Sequence, residues 1–268
     1  MNHDDLLKRA RALVGTSGEK KALPPTGGLS RVSHAAAMLR GAENLDVYIF
    51  FETTGSMDPY INQVRDHASD VTDALLDGSA DIRLSMNGIG DHCDGAHWLQ
   101  MYALTKDKKD VQGALDNIVM TNGGDEPEAL ECMALAAAQR LPAESLGRKR
   151  AVVLITDSVP HGIIDNPCER NVDYKTAFTA LKTVADGFYL VGCNQKMYGH
   201  QRELIDATRP EREQLLQLGE MVDVLPTLLV ALAKKTASPR ALQAYLAQLE
   251  ATNPTTAGKV YGLLGSGR

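Results

Sequence analysis

The sequence predicts an α/β fold: a doubly wound, mostly parallel central sheet with helices on both faces and one antiparallel edge strand. Three observations lead there. Apolar, β-branched runs alternate along the chain with segments of helical periodicity. The run from Val47 to Phe51 is β-branched or aromatic at every position, as strands buried on both faces of a parallel sheet are. Residues 81–89 and 98–104 read as strands joined only by the turn 91–96, a connection that permits an antiparallel hairpin and forbids a parallel crossover.

The elements follow in order. Residues 4–14 place Leu6, Leu7, Ala10, Leu13 and Val14 at helical spacing, residues 15–28 carry the Gly, Ser and Pro of a linker, and Ser30 caps a second helix that ends at Gly41. Residues 1–44 are therefore expected to be a helical arm separable from the sheet domain. After the strand at 46–51, residues 59–76 form a helix with Ile61, Val64, Ala68, Val71 and Leu75 on one face, stopped by Asp77-Gly78. Helices are expected at 107–118 and 126–141, a central strand at 150–156, a helix at 173–184, a strand at 187–192 and a short last strand at 221–224. Helices at 227–235 and 240–250 close the chain, with 254–268 as a looser tail. The domain division is thus 1–44, 45–236 and 237–268, and no internal repeat interrupts it.

Composition narrows the function classes. The chain has 268 residues, of which 44% are hydrophobic and 23% charged, ordinary values for a globular protein with an ample core. A net charge of −6 gives no general attraction to phosphate backbones, so nucleic acid is not an expected partner. No apolar run reaches the roughly 18 residues of a membrane span, and the polar start lacks the pattern of a secretory leader. Cys93, Cys132, Cys168 and Cys193 form no CxxC pair and are read as free thiols of a cytoplasmic protein.

The chemistry concentrates where the first strand ends. Glu52, Thr54 and Ser56 alternate in the loop leaving its carboxyl end, the place where open α/β sheets bind ligands, and three oxygen-bearing side chains there suit a hard cation. The hydroxyls have another use, since Ser or Thr at a helix start satisfies free amide groups without any metal. This segment resembles the first loop of a von Willebrand factor A domain, whose metal-ion-dependent adhesion site opens with Asp-x-Ser-x-Ser. Thr121-Asn122-Gly123-Gly124-Asp125-Glu126-Pro127-Glu128 resembles the family's second metal loop, and Val152 to Ser158 the third strand with its terminal Asp157. Asp91 to Gly95 and Pro160-His161-Gly162 are similar to the intracellular subgroup related to alpha-kinase-associated domains. The resemblance covers residues from about 45 to 235.

The resemblance implies a metal held by Glu52, Thr54, Ser56, Asp125 and Asp157, with Thr121 the alternative second-loop contributor. Magnesium is expected, with calcium or manganese as substitutes. One departure matters: the family's leading Asp is Glu52, whose extra methylene either brings it into direct contact or displaces the metal, so occupancy becomes the point to test. The implied function is a protein-binding module whose partner meets the metal-loop face, an adaptor of an effector such as an AAA+ ATPase or a kinase. The alternative is a metal-dependent phosphoester hydrolase using His92 or His161 as proton carrier. His92, Asp94 and His97 also form an H-x-D-x-x-H string in the 91–96 turn region, a pattern a zinc ion could use but one that more often faces solvent. Gly258-Lys259 lacks the glycine spacing of a phosphate loop.

Overall fold

Strand β1 (Leu45–Glu52) is buried at all eight of its residues because it has a sheet neighbour on each side and a helical layer on each face. The computed structural model describes residues 44–61, 72, 76, 81–164, 166–206, 213–217, 243, 246–247, 249–251 and 254–265. Within it β1 pairs in parallel with β2 (Ile82–Ile89) on one side and β4 (Lys149–Thr156) on the other. The short β3 (Leu99–Gln100) runs antiparallel at one edge, and β5 (Gly187–Gly192) and β6 (Glu213–Gln217) extend the parallel sheet at the other. The order β3-β2-β1-β4-β5-β6 reverses direction between β1 and β4. That topological switch point opens a crevice at the carboxyl ends of these two strands.

Side-chain alternation along β1 divides the core. Val47, Ile49 and Phe51 join Leu84, Met86, Val153 and Ile155 on one face, covered by Val111, Ala114 and Leu115 of α1 (Lys108–Asn117). Tyr48 and Phe50 join Val152, Leu154 and Leu190 on the other, covered by Leu130, Met133, Ala137 and Leu141 of α2 (Leu130–Glu144) and by Phe178 and Leu181 of α3 (Tyr174–Val184). Asp107 and Asp173 cap α1 and α3 through amides two and three residues on. A further helix, α4 (Tyr198–Asp206), buries Leu204 and Ile205 against the second face.

Several sequence expectations are corrected. A sixth strand, not expected from the sequence, forms at Glu213–Gln217; the strand expected at 221–224, the arm at 1–43 and the helix at 227–235 lie outside the described residues. The tail expected to be loose contains helix α5 (Pro254–Gly265), whose Ala257 and Val260 are buried in the first face. Gly258-Lys259 therefore lies within a helix. Helix α2 begins at Leu130, not at 126, because Glu128 is engaged in a bridge to Pro160. Of the strand expected at 98–104 only Leu99–Gln100 pairs with β2, with a further bridge from Leu84 to Thr105. Residues 243, 246–247 and 249–251 are helical, in keeping with the helix expected at 240–250.

The amino end of β1 carries a buried charge that the sequence reading left unassigned. Asp46 has no exposed side-chain surface and accepts hydrogen bonds from Arg83 Nε at 2.8 Å, Arg148 Nε at 2.7 Å and Ser145 Oγ. Burial pushes its pKa up, but the bonds from Arg83, Ser145 and Arg148 outweigh this and hold it below the usual carboxylate range. A group with a depressed folded pKa contributes stability that is present above its unfolded pKa and lost as pH falls through the folded value. Asp46→Asn should therefore cost about 3 kcal/mol in urea denaturation at neutral pH, the low end for a broken buried pair because both guanidinium groups keep some solvent. The gap from wild type should narrow as pH drops below about 4.

Candidate metal site at the carboxyl edge of the sheet

The register Phe51↔Ile155 places Glu52 beside Thr156, so the carboxyl ends of β1 and β4 deliver an acid and a hydroxyl to the same point. Beyond β1, Thr53 continues the ladder by donating its amide to the Ile89 carbonyl at 2.7 Å. Thr54 stays extended and a single turn of 3₁₀ helix follows at Gly55–Met57, anchored by the fully buried Met57. Thr54 occupies the cap position of that turn yet makes no capping bond. Its hydroxyl donates instead to Glu52 Oε1, so capping does not account for it.

Glu52 is fully buried and organises the cluster. Its Oε1 also accepts from Ser56 Oγ at 3.1 Å, while Oε2 accepts from Thr156 Oγ1 and from the Asp157 amide at 3.3 Å. Ser56 Oγ lies 2.9 Å from Asp157 Oδ1 and 3.2 Å from Thr54 Oγ1. Four of the five residues expected at a metal, Glu52, Thr54, Ser56 and Asp157, are thus in mutual contact. Thr54 is buried, Asp157 is 7% exposed, and Ser56 opens to solvent.

The second loop is arranged differently. Asp125 stands at the rim, 41% exposed, where it accepts from Asn166 Nδ2 and lies 3.9 Å from His161 Nε2. Thr121 bonds Thr53, through its amide at 2.8 Å and its hydroxyl at 3.1 Å. The second-loop residue drawn towards the Glu52 cluster is Glu128, 3% exposed, with its Oε2 unpartnered. Gly123 makes room for it: a side chain there would meet Glu128 Oε1 at 3.1 Å and Thr54 Cβ at 3.3 Å, on a backbone with φ of +66°. Glu128 is fixed by its amide bond to the Val159 carbonyl at 3.0 Å, and Ser158 Oγ donates to the Glu126 carbonyl, so the second and third loops are stitched together. Glu128 was not among the expected ligands, although it closes the Gly-Gly-Asp-Glu-Pro-Glu string of the second loop, the signal that could have singled it out.

These acids face a cleft of about 270 Å³ lined by Thr54, Ser56, Gly123, Asp125, Glu128 and Asp157 among others. Burial pushes the Glu52 carboxyl up to about 8, with the neighbouring Asp157 adding to it. Burial and the Glu52 charge push Glu128 up to about 10. Among the described residues no Lys or Arg pairs with Glu52, Glu128 or Asp157, so protons or a cation must supply the compensation.

The string His92, Asp94, His97 does not converge. Asp94 turns to the Asp91 amide at 2.7 Å and His97 is exposed, while His92 points inward to Glu131. His161 is buried rather than solvent-facing, stacked on His92 with ring centroids 5.3 Å apart and 3.3 Å from Glu131 Oε1. Burial works against a charge on His161, but the bond and charge of Glu131 prevail and raise its pKa.

The sequence matches no family model and no curated protein. Among solved structures, the fold is similar to that of the pilus adhesin SpaC from Lactobacillus rhamnosus GG, seen in an open conformation and in a second form. Both give a TM-score of 0.55 at 14% identity over 72% of this chain. The chain spans only 30% and 31% of the two adhesin chains. At that identity the likeness shows a shared α/β fold.

The raised Glu52 pKa has a sign that can be measured. The native metal-free protein keeps a proton that the unfolded chain releases above about 4.5, so this stabilisation is full at low pH and is lost as pH rises towards about 8. In chelator, the thermal midpoint of the wild type should fall over that interval. Glu52→Gln should flatten the slope, and adding Glu128→Gln should flatten it further. A midpoint independent of pH in all three proteins would mean that these acids are not buried as described.

Proposed function

We propose that the chain is a binding module of the von Willebrand factor A type that holds a divalent cation, magnesium first, and docks a protein partner on the metal-loop face. One observation carries this reading: an all-oxygen donor set from Glu52, Thr54, Ser56 and Asp157 converges at the switch point of the sheet, beside an open cleft and, among the described residues, without a cationic side chain. Oxygen donors of this kind fit magnesium, calcium or manganese and do not suit a soft metal. The orphaned Glu128 Oε2 adds a buried acceptor in need of a proton or a cation.

A bound ion supplies positive charge and a coordination position open to the partner. Glu52 and Asp157 would neutralise it, Thr54 and Ser56 would add neutral oxygens, and a protonated Glu128 would leave the site without net negative charge. A partner carboxylate is then the fitting ligand, with Asp125 on the rim to orient nearby basic groups. The adhesin fold of the structural neighbours supports a non-enzymatic role of this kind. The hydrolase reading has less support, because His92 and His161 are buried and committed to Glu131. An effector of the AAA+ ATPase or kinase class as partner belongs to the same proposal.

Calorimetry with magnesium and with manganese should show one site in the wild type, and Asp157→Ala should weaken it by at least about tenfold, as loss of a charged ligand does. The same variant should lose partner capture from a native lysate while its circular dichroism stays unchanged, and chelator should mimic it. Equal capture by both proteins would remove this face from the function.

A further inference from the structure

Behind the cleft lies a second donor cluster of different chemistry. His92 follows β2, Glu131 and Cys132 open α2, and Cys168 sits in the loop between β4 and α3. These are three segments separated by 36 to 76 residues. Four potential ligand atoms meet there. Cys132 Sγ and Cys168 Sγ are 3.6 Å apart, His92 Nε2 is 3.6 Å from the first and 3.4 Å from the second, and Glu131 Oε1 is 3.3 Å from His92 Nε2. All four lie within 4.8 Å of one another.

The separations have a simple geometric meaning. A tetrahedral zinc ion with bonds of about 2.3 Å to sulfur and about 2.0–2.1 Å to nitrogen or oxygen has edges of roughly 3.8 Å between sulfurs, 3.5 Å from sulfur to nitrogen and 3.3 Å from nitrogen to oxygen. The sulfur–sulfur, sulfur–nitrogen and nitrogen–oxygen separations match those edges to within about 0.2 Å, and the Glu131 carboxylate lies within 4.8 Å of both sulfurs. A disulfide would need the sulfurs at about 2.05 Å, far closer than they stand. We propose that His92, Glu131, Cys132 and Cys168 form a closed tetrahedral zinc site that ties the 91–97 turn, the start of α2 and the 157–173 loop together.

The surroundings suit this role. The His92 and Glu131 side chains are 2% and 0% exposed, and both cysteines are buried in a small apolar cluster with Ala129, Trp98 and Val172. Arg170 closes the outside by lying over the Trp98 ring at 4.1 Å. Glu131 is oriented from behind, since its Oε2 accepts from the His161 amide at 3.1 Å and the His161 ring contacts its Oε1. Such outer bonds fix a ligating carboxylate. Two thiolates with an imidazole and a carboxylate select zinc over magnesium, and four protein ligands leave no open position, which makes the site structural and not catalytic. The Nδ1 of His92 is buried and has no hydrogen-bond partner among the described residues, which leaves that nitrogen for a buried water to satisfy.

The test uses the full chain purified without chelator. Elemental analysis should find about one zinc per chain, and cobalt substitution should give the intense visible bands of a tetrahedral ion with thiolate-to-cobalt charge transfer. Cys132→Ser and Cys168→Ser should each weaken binding by at least about 100-fold. Cys93→Ser and Asp157→Ala should keep full zinc content, which separates this site from the oxygen site in the cleft. If the cysteine variants fold poorly, alkylation of the wild type serves instead: Cys132 and Cys168 should be protected until zinc is chelated. Absence of zinc together with a cobalt spectrum lacking thiolate bands would overturn the proposal. So would zinc retained in the double cysteine variant, or a Cys132–Cys168 disulfide in the freshly purified protein.

Discussion

A carboxylate without solvent at the end of the central strand is the constraint around which the rest of this structure is arranged. Glu52 continues the strand that carries the core, so its side chain is buried by the same packing that buries Phe50 and Phe51. An ionised carboxylate there without a counter-charge would cost several kcal/mol. The loops respond with hydroxyls: Thr54, Ser56 and Thr156 all donate to it, and the Asp157 amide adds a fourth bond. Neutral donors reduce the cost without cancelling the charge. The site is thus left acidic by construction, and a cation is the economical remedy wherever one is available.

The two ends of β1 show what else could have been done. At the amino end the equally buried Asp46 is met by two arginines and a serine, and the outcome is a closed ion cluster that stabilises the fold and offers nothing to a ligand. At the carboxyl end the described structure supplies no arginine or lysine to Glu52, Glu128 or Asp157, although three acids meet beside a cleft. One strand carries both solutions, so burial alone does not explain the missing cations. The open solution falls at the topological switch point, where the sheet leaves room for a ligand.

What could be read in advance follows the range of the interactions involved. The β1 run, the alternation of Glu52, Thr54 and Ser56, and Asp157 at the end of β4 are local patterns, and the sheet brings these side chains together. The second loop was less legible because its Gly-Gly-Asp-Glu-Pro-Glu string offers three acids. Which one turns inward depends on the Glu128–Pro160 bridge and on the space above Gly123, neither visible locally. Strand β6 escaped because Glu213–Gln217 is mostly polar, and pairing with β5 defines it more than composition does. Helix α5 escaped because Pro254 and the glycines at 258, 262 and 265 read as loop residues, although Ala257 and Val260 are buried in the core and Tyr261 packs against it. The cysteine cluster left no trace at short range, since its ligands come from three segments and no pair has metal-site spacing.

The zinc proposal and the oxygen site meet in a single segment. The loop after β4 begins with Asp157, passes through Ser158 and His161, and reaches Cys168 before α3 starts. His161 is the hinge of this arrangement: its ring lies 3.6 Å from Asp91 and 3.9 Å from the rim acid Asp125, while its other nitrogen faces Glu131 at 3.3 Å. A closed metal centre at Cys168 would fix the far end of the loop, and through His161 it would also fix the rim of the cleft. Binding geometry at Asp157 then no longer depends on a loop free at one end, and the ordering cost that a partner would otherwise meet falls. The packing of the two loops holds the oxygens of Ser56 and Asp157 2.9 Å apart, with Glu52 behind them and bonded to both strands' loops.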